Sequence, residues 1–276
     1  MRLVDSHCHV NADRFAPDAD AVVEAARGAG VERILVPGWN VASSERALEL
    51  VERIPWLDAA VGVHPHDAAK VDDAGWTRIV AWASRAEVTA VGETGLDYDR
   101  VFSPIPDQLA NLRRNLRLAV ETGKPAILHC RSAAGRRDAQ DALLAEVRAL
   151  GHDSPAVVIH SFSGPVDYAE AMLEIGAVIS FSGLVFRRGE ESSAQVAALA
   201  PAERILAETD SPFLAPPGAP RTRNEPEWVR VTAAWLAERR RTTPEAIGGT
   251  LVGTYDRTFP SRRRTRWMTE PAAPPV

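Results

Sequence analysis

Apolar, strand-sized runs return eight times along the chain, at residues 3–9, 33–38, 58–65, 88–97, 125–130, 156–162, 177–183 and 205–212. Segments with helical spacing and polar faces separate them, among them 19–27, 44–53, 107–122 and 138–150. Alternation of this kind predicts βα units, in which each helix carries the chain back so that successive strands run parallel. Strands that are apolar along nearly their whole length are buried on both faces. Eight such units predict an α/β fold, a (β/α)8 TIM barrel. Helix stop signals agree, since Gly123 with Pro125, Gly151 and Gly176 each stand between a helical segment and the next strand. A doubly wound open sheet would carry a Gly-rich phosphate loop after its first strand, and none is there.

The length of 276 residues suits one barrel domain. We expect it to occupy residues 1–260. Residues 261–276, with four arginines, Pro271, Pro274 and Pro275 and no apolar period, are expected to form a frayed or disordered tail. A formal charge of −5, with 45% apolar and 25% charged residues, excludes a disordered chain, a collagen and a disulfide miniprotein. There is no apolar run of the roughly 18 to 20 residues that a membrane span needs. The first strand begins too early to leave room for a signal peptide, so a cytoplasmic protein is expected. Cys8 and Cys130 are read as reduced thiols.

Six of the seven histidines fall at or near strand ends. His7 and His9 belong to the run Asp5-Ser6-His7-Cys8-His9, where strand alternation would point both the same way. His64 and His66 end the third strand, His129 ends the fifth and His160 lies near the end of the sixth. Glu93 lies near the end of the fourth and Asp210 ends the eighth; only His152 stands apart. The carboxyl ends of barrel strands form one rim, so groups scattered over the chain would converge there. Imidazoles and carboxylates together suit divalent zinc, manganese, iron or magnesium. Glu93, between the histidine groups, could bridge two ions. His64 and His66 are read as substrate contacts or as groups orienting Glu93. Among the rim arginines, Arg131 and Arg223 are the preferred phosphate contacts, whereas Arg100, Arg187, Arg188 and Arg221 could equally pair with nearby acids. Trp39 is assigned to packing rather than to base stacking.

Six ordered stretches carry a resemblance to the TatD family of metal-dependent deoxyribonucleases, within the amidohydrolase-like barrel hydrolases. They are residues 5–9 (DSHCH), 61–66 (VGVHPH), 92–98 (GETGLDY), 129–131 (HCR), 160–164 (HSFSG) and 208–212 (ETDSP), with 223–226 (RNEP) also similar. The resemblance implies that His7, His9 and Asp210 hold one metal ion, His129 and His160 a second, and Glu93 both. The only lysines, Lys70 and Lys124, lie away from the rim, which leaves Glu93 rather than a carboxylated lysine as the bridge.

The implied activity is a two-metal hydrolase (magnesium, manganese or zinc) cleaving phosphodiester bonds, of the 3'-5' exonuclease type on single-stranded or damaged DNA. Asp210 would accept the proton of a water whose pKa the ions lower. The alternative is a metal-dependent amide, lactone or small phosphoester hydrolase, and an intact ligand set argues against a non-catalytic scaffold. The expected partner is DNA or a nucleotide phosphodiester, with no membrane and no obligate protein partner. Two stretches depart from the family pattern. Residues 132–138 are about two longer than usual, which would reshape the substrate rim, and the closing helix lacks its usual asparagine, which puts carboxy-terminal packing in question.

Overall fold

A computed structural model describes residues 1–260; the expected tail lies outside the described residues. The chain alternates β1 (Leu3–Asp5), α1 (Ala19–Gly28), β2 (Val31–Pro37), α2 (Val41–Arg53), β3 (Leu57–Val61), α3 (Asp73–Ala83), β4 (Val88–Asp97) and α4 (Ile105–Thr122). It continues through β5 (Ala126–Arg131), α5 (Asp138–Ala149), β6 (Val157–Ile159), α6 (Val166–Glu174), β7 (Val178–Phe181), α7 (Ser192–Leu199), β8 (Ile205–Ala207), α8 (Val229–Arg239) and α9 (Pro244–Thr258). The eight strands form one sheet in chain order, and each neighbouring pair is parallel. This is the TIM barrel that the alternation predicts.

The seam between β8 and β1 is sewn largely beyond the strand ends. Ser6 N–H donates to the Ala207 carbonyl at 3.1 Å, Asp210 N–H to the His7 carbonyl at 2.9 Å, and His9 N–H to the Ser211 carbonyl at 2.8 Å. Asp5 joins the seam, its carboxylate accepting from Thr209 N–H at 3.0 Å and from the Thr209 hydroxyl at 2.6 Å.

Local chemistry fixes the helix boundaries. Asn40 caps α2 by accepting from Ser43 N–H, while the Ser43 hydroxyl accepts from Asn40 N–H. Gly123 ends α4 in the left-handed conformation, at φ 63°. One continuous apolar core fills the barrel and the layer beneath the helices, with Leu35, Val61, Val91, Leu128 and Ile179 fully buried.

Carboxy-terminal packing is secured despite the missing asparagine. Tyr255 of α9 is fully buried, and its hydroxyl donates at 2.9 Å to Asp58 of β3, which also receives the Arg33 guanidinium at 2.6 Å. Among the described residues, no helix is long and apolar enough to cross a membrane.

The expected strands match most closely at β4, fall one residue short of the carboxyl end of β5 and overshoot at their carboxyl ends elsewhere. β1 ends at Asp5, so His7 and His9 do not share a face through strand alternation as expected. Beyond Asp5 the backbone bonds to either side in turn, Cys8 N–H to the Leu35 carbonyl at 3.0 Å and His9 N–H toward β8. With the segment held so, the two imidazoles meet, Nε2 to Nε2 at 3.1 Å.

Candidate metal centre

Glu93, midway along the longest strand, is 3% exposed and lies at the middle of a ring of imidazoles. Its Oε1 is 3.0 Å from His160 Nε2, 3.2 Å from His64 Nε2 and 3.3 Å from His129 Nδ1. Its Oε2 is 3.3 Å from His7 Nε2 and 3.5 Å from His9 Nε2. Asp210 closes the second side, with Oδ1 3.3 Å from His9 Nε2 and 3.9 Å from His7 Nε2. All six residues expected as ligands therefore meet, although they come from five segments of the chain. Asp210 sits in the left-handed region at φ 53°, where a short polar side chain is tolerated.

Two further carboxylates, which sequence reasoning did not assign to the site, hold this ring from behind. Glu208 Oε1 accepts from Ser161 N–H at 2.6 Å and lies 3.1 Å from His160 Nδ1. Asp97 Oδ2 lies 2.7 Å from His66 Nε2 and 3.3 Å from His129 Nε2, while its Oδ1 accepts from the backbone N–H groups of Asp99 and Arg100. Strand alternation could have revealed Asp97, because residues 93, 95 and 97 of β4 share a face. Glu208 stands two residues before Asp210, a spacing that carries the same hint.

These partners set the charge states. Burial would raise the Glu93 carboxyl, but His64, His160 and His7 together hold it well below the ordinary range. Burial opposes protonation of His160, yet Glu93 and Glu208 overcome it and raise its pKa well above the usual histidine value. His64 is pushed down to about 4 by burial, against the pull of Glu93. Asp97 is also buried, but its bonds to His129 and His66 hold it far down.

The donor set fits a metal. With His160 Nδ1–H donating to Glu208, the Nε2 lone pair of the neutral ring points at Glu93 Oε1, a second lone pair, only 3.0 Å away. A proton or a cation must lie between them, and a divalent ion suits such a pairing of imidazole nitrogen with carboxylate oxygen. The Nε2 atoms of His7 and His9 also stand 3.1 Å apart, with two carboxylates facing them. His64 behaves differently. Its Nδ1 accepts from His66 N–H at 3.1 Å, which places the ring proton on Nε2, donated toward Glu93. Cys8 and Cys130 are buried, and neither belongs to the groups of donor atoms that gather around Glu93 and Asp210.

A cleft of about 1260 Å³ opens over the ring, its wall including Arg100, Arg131, Arg187, Arg188, Glu190 and Phe213. Arg131 is half exposed there and pairs with Asp99 at 2.8 Å. His66 turns to Asp97 rather than to Glu93, whereas His64 does face Glu93. Trp39 lines the cleft and packs edge-on against His9, with the Arg46 guanidinium over its ring. Arg223 is not brought to this cleft. Its fork binds Asp18 at 2.8 Å and Glu225 at 2.7 Å, and it stacks over Phe15, so its contacts tie the segment after β8 to the start of α1. The long loop after β5 is held by Ser132, whose hydroxyl donates to Gln140 and accepts from Ala139 N–H, and by pairs of Arg136 with Asp138 and Arg137 with Asp167.

Comparison with known proteins matches residues 4–260 to the family described as TatD related DNase. An uncharacterized metal-dependent hydrolase, YabD of Bacillus subtilis, is 32% identical over 257 residues, covering 93% of this chain and 98% of its own. A 3'-5' ssDNA/RNA exonuclease TatD of Erwinia billingiae is 35% identical over 253 residues, covering 89% and 94%. Among solved structures, the TatD homologue YJJV of Escherichia coli superposes with a TM-score of 0.83 at 32% identity, covering 94% of this chain and 98% of that one. A TatD-family hydrolase of Entamoeba histolytica shares the fold, with a TM-score of 0.83 at 19% identity over 95% of this chain and 99% of that one.

Proposed function

The chain belongs to the family of TatD related DNases, and from that premise we propose that this metal-dependent hydrolase is a two-metal phosphodiesterase that shortens single-stranded or damaged DNA from its 3' end. The activity resides in one barrel domain, residues 1–260. Of two bound ions, His7, His9 and Asp210 would hold one and His129 and His160 the other, with Glu93 serving both. Magnesium, manganese and zinc all suit this set of nitrogen and oxygen donors. Bound there, such ions lower the pKa of water and neutralise charge growing on a phosphoryl oxygen.

The remaining work falls to the chain's own groups. Asp210, held with its carboxylate toward His9 and exposed to the cleft, accepts the proton of the water that adds to phosphorus as the ester P–O bond breaks. Arg131 projects into the cleft from the strand that carries His129, and its guanidinium can exchange Asp99 for phosphate oxygens. His64 directs its Nε2 proton at Glu93 and keeps that carboxylate ionised. The reading is carried by one observation, the buried Glu93 carboxylate, one oxygen of which faces His129 and His160 and the other His7 and His9. Labelled single-stranded DNA, incubated with metal-stripped protein resupplied with magnesium, manganese or zinc, should be shortened stepwise, and Glu93→Ala should abolish this. Turnover of esters or lactones with none of oligonucleotides would overturn it.

A further inference from the structure

Among the described residues, the exposed aromatic side chains are Phe102 and Phe213, at 62% and 52%; the other described aromatics are buried or half-buried. Phe213 stands in the cleft over the metal centre, and Phe102 lies just outside the cleft lining, against His66, which belongs to it. Phe213, three residues after Asp210, lines the cleft and meets the His9 ring edge-on at 6.1 Å. Phe102 meets the His66 ring edge-on at 4.7 Å. Contacts run from Phe213 through His9, Glu93 and His64 to His66 and Phe102, so the two rings flank the centre at the two ends of this series.

Their backbones are pinned while their faces stay open. The Asn224 amide donates to the carbonyls of Phe213 at 2.8 Å and Thr209 at 3.0 Å, and Phe213 N–H donates to the Asp210 carbonyl at 2.9 Å. Beside Phe102, the Ser103 hydroxyl donates to the His66 carbonyl at 3.0 Å, and Gln108 donates to the Ser103 carbonyl at 2.9 Å. Rings held in water by an anchored backbone expose apolar surface that packing would otherwise hide. The same cleft carries the cationic wall of Arg131, Arg187 and Arg188. Flat apolar faces beside cations match a strand that alternates bases with phosphates, provided that its bases are unpaired and their faces free.

We propose that Phe102 and Phe213 are stacking platforms for unpaired nucleobases on either side of the scissile phosphate, and that they select single strands over duplex. The proposal rests on the phosphodiesterase reading of this site.

The test compares metal-loaded wild type, Phe102→Ala and Phe213→Ala on two single-stranded oligonucleotides. One carries ordinary 3' terminal nucleotides and the other has abasic sugars there with every phosphate intact. On the ordinary strand each variant should lose about 5- to 150-fold in kcat/KM, the worth of one base–aromatic stack. On the abasic strand the wild type should fall toward the variants and the difference should vanish. Phe213→Tyr should restore the ordinary rate and Phe213→Leu, which is apolar but not flat, should not. Equal losses on both strands, or no loss on the ordinary one, would overturn the stacking role while leaving the phosphodiesterase intact. A wild type that cleaves neither strand refutes the underlying reading and the platforms with it.

Discussion

Replacing Glu208 by glutamine removes one buried negative charge with almost no change of shape, and the local geometry dictates how the amide must sit. Ser161 N–H and the Nδ1 proton of His160 both point at Oε1, so the amide oxygen takes that position. The amide nitrogen then faces the Ser6 hydroxyl, 3.4 Å away in the native protein, which can accept from it while donating to Ser180 at 2.8 Å. No polar group is stranded, and the loss is confined to charge. A hydrogen bond to a carboxylate contributes about 1.5–3 kcal/mol and a neutral one about 0.5–1.5 kcal/mol, so His160 loses about 1–2 kcal/mol of support as a neutral donor with a fixed tautomer. That predicts a divalent-ion affinity lowered about 5- to 30-fold at the side of the centre built on His160. Glu208→Ala should cost more, since it leaves both buried donors without an acceptor. Calorimetric titration of metal-stripped protein with manganese or zinc measures the affinity, and thermal unfolding followed by circular dichroism checks the fold. An E208Q protein with native melting and wild-type affinity would refute the argument that Glu208 orients His160.

Asp210→Asn should fold normally yet lose about 10²- to 10⁴-fold in metal-dependent DNA cleavage, and wild-type turnover would exclude its proton-accepting role. Burial opposes a proton on His160 but Glu93 and Glu208 raise its pKa well above normal, so the metal-free protein keeps that proton at neutral pH. A cation must displace it; affinity should therefore weaken as pH falls, with proton release on binding, and an affinity constant between about pH 6 and pH 8 would contradict this. Tyr255→Phe deletes the hydroxyl donated to Asp58 but leaves the Arg33 pair. It should cost about 1–2 kcal/mol and lower Tm by about 2–8 °C without altering cleavage, and an unchanged Tm would show that the bond adds nothing.

How far the sequence discloses such a site follows from what holds each residue. Within β4 the ladder persists to Asp97, so the strand was legible over its whole length and Glu93 could be placed on the rim. The same alternation carries Asp97 inward, but an aspartate followed by Asp99 and Arg100 reads equally well as a surface acid, and residue type alone does not separate the two. Past the end of β1 the alternation that sequence reasoning relies on has lapsed. The positions of His7 and Asp210 come instead from bonds such as Thr209 to Asp5, across 204 residues of chain. Arg223 lies outside the cleft for a related reason, since its fork meets Asp18 across 205 residues and no local pattern announces that meeting.

Phe102 and Phe213 are silent for the opposite reason, because an aromatic residue in a loop has the same pattern whether it is packed or bare. Residue types at strand ends therefore disclose which groups meet a metal, because the barrel's register delivers them to one rim. Barrel closure decides which groups stand behind them and which face the cleft. In this chain that closure runs largely through the seam of Asp5, Thr209 and the backbone of His7 and Asp210. Both residues of that backbone pair are in the donor set itself, so the closure of the fold and the geometry of the metal centre are set by the same bonds.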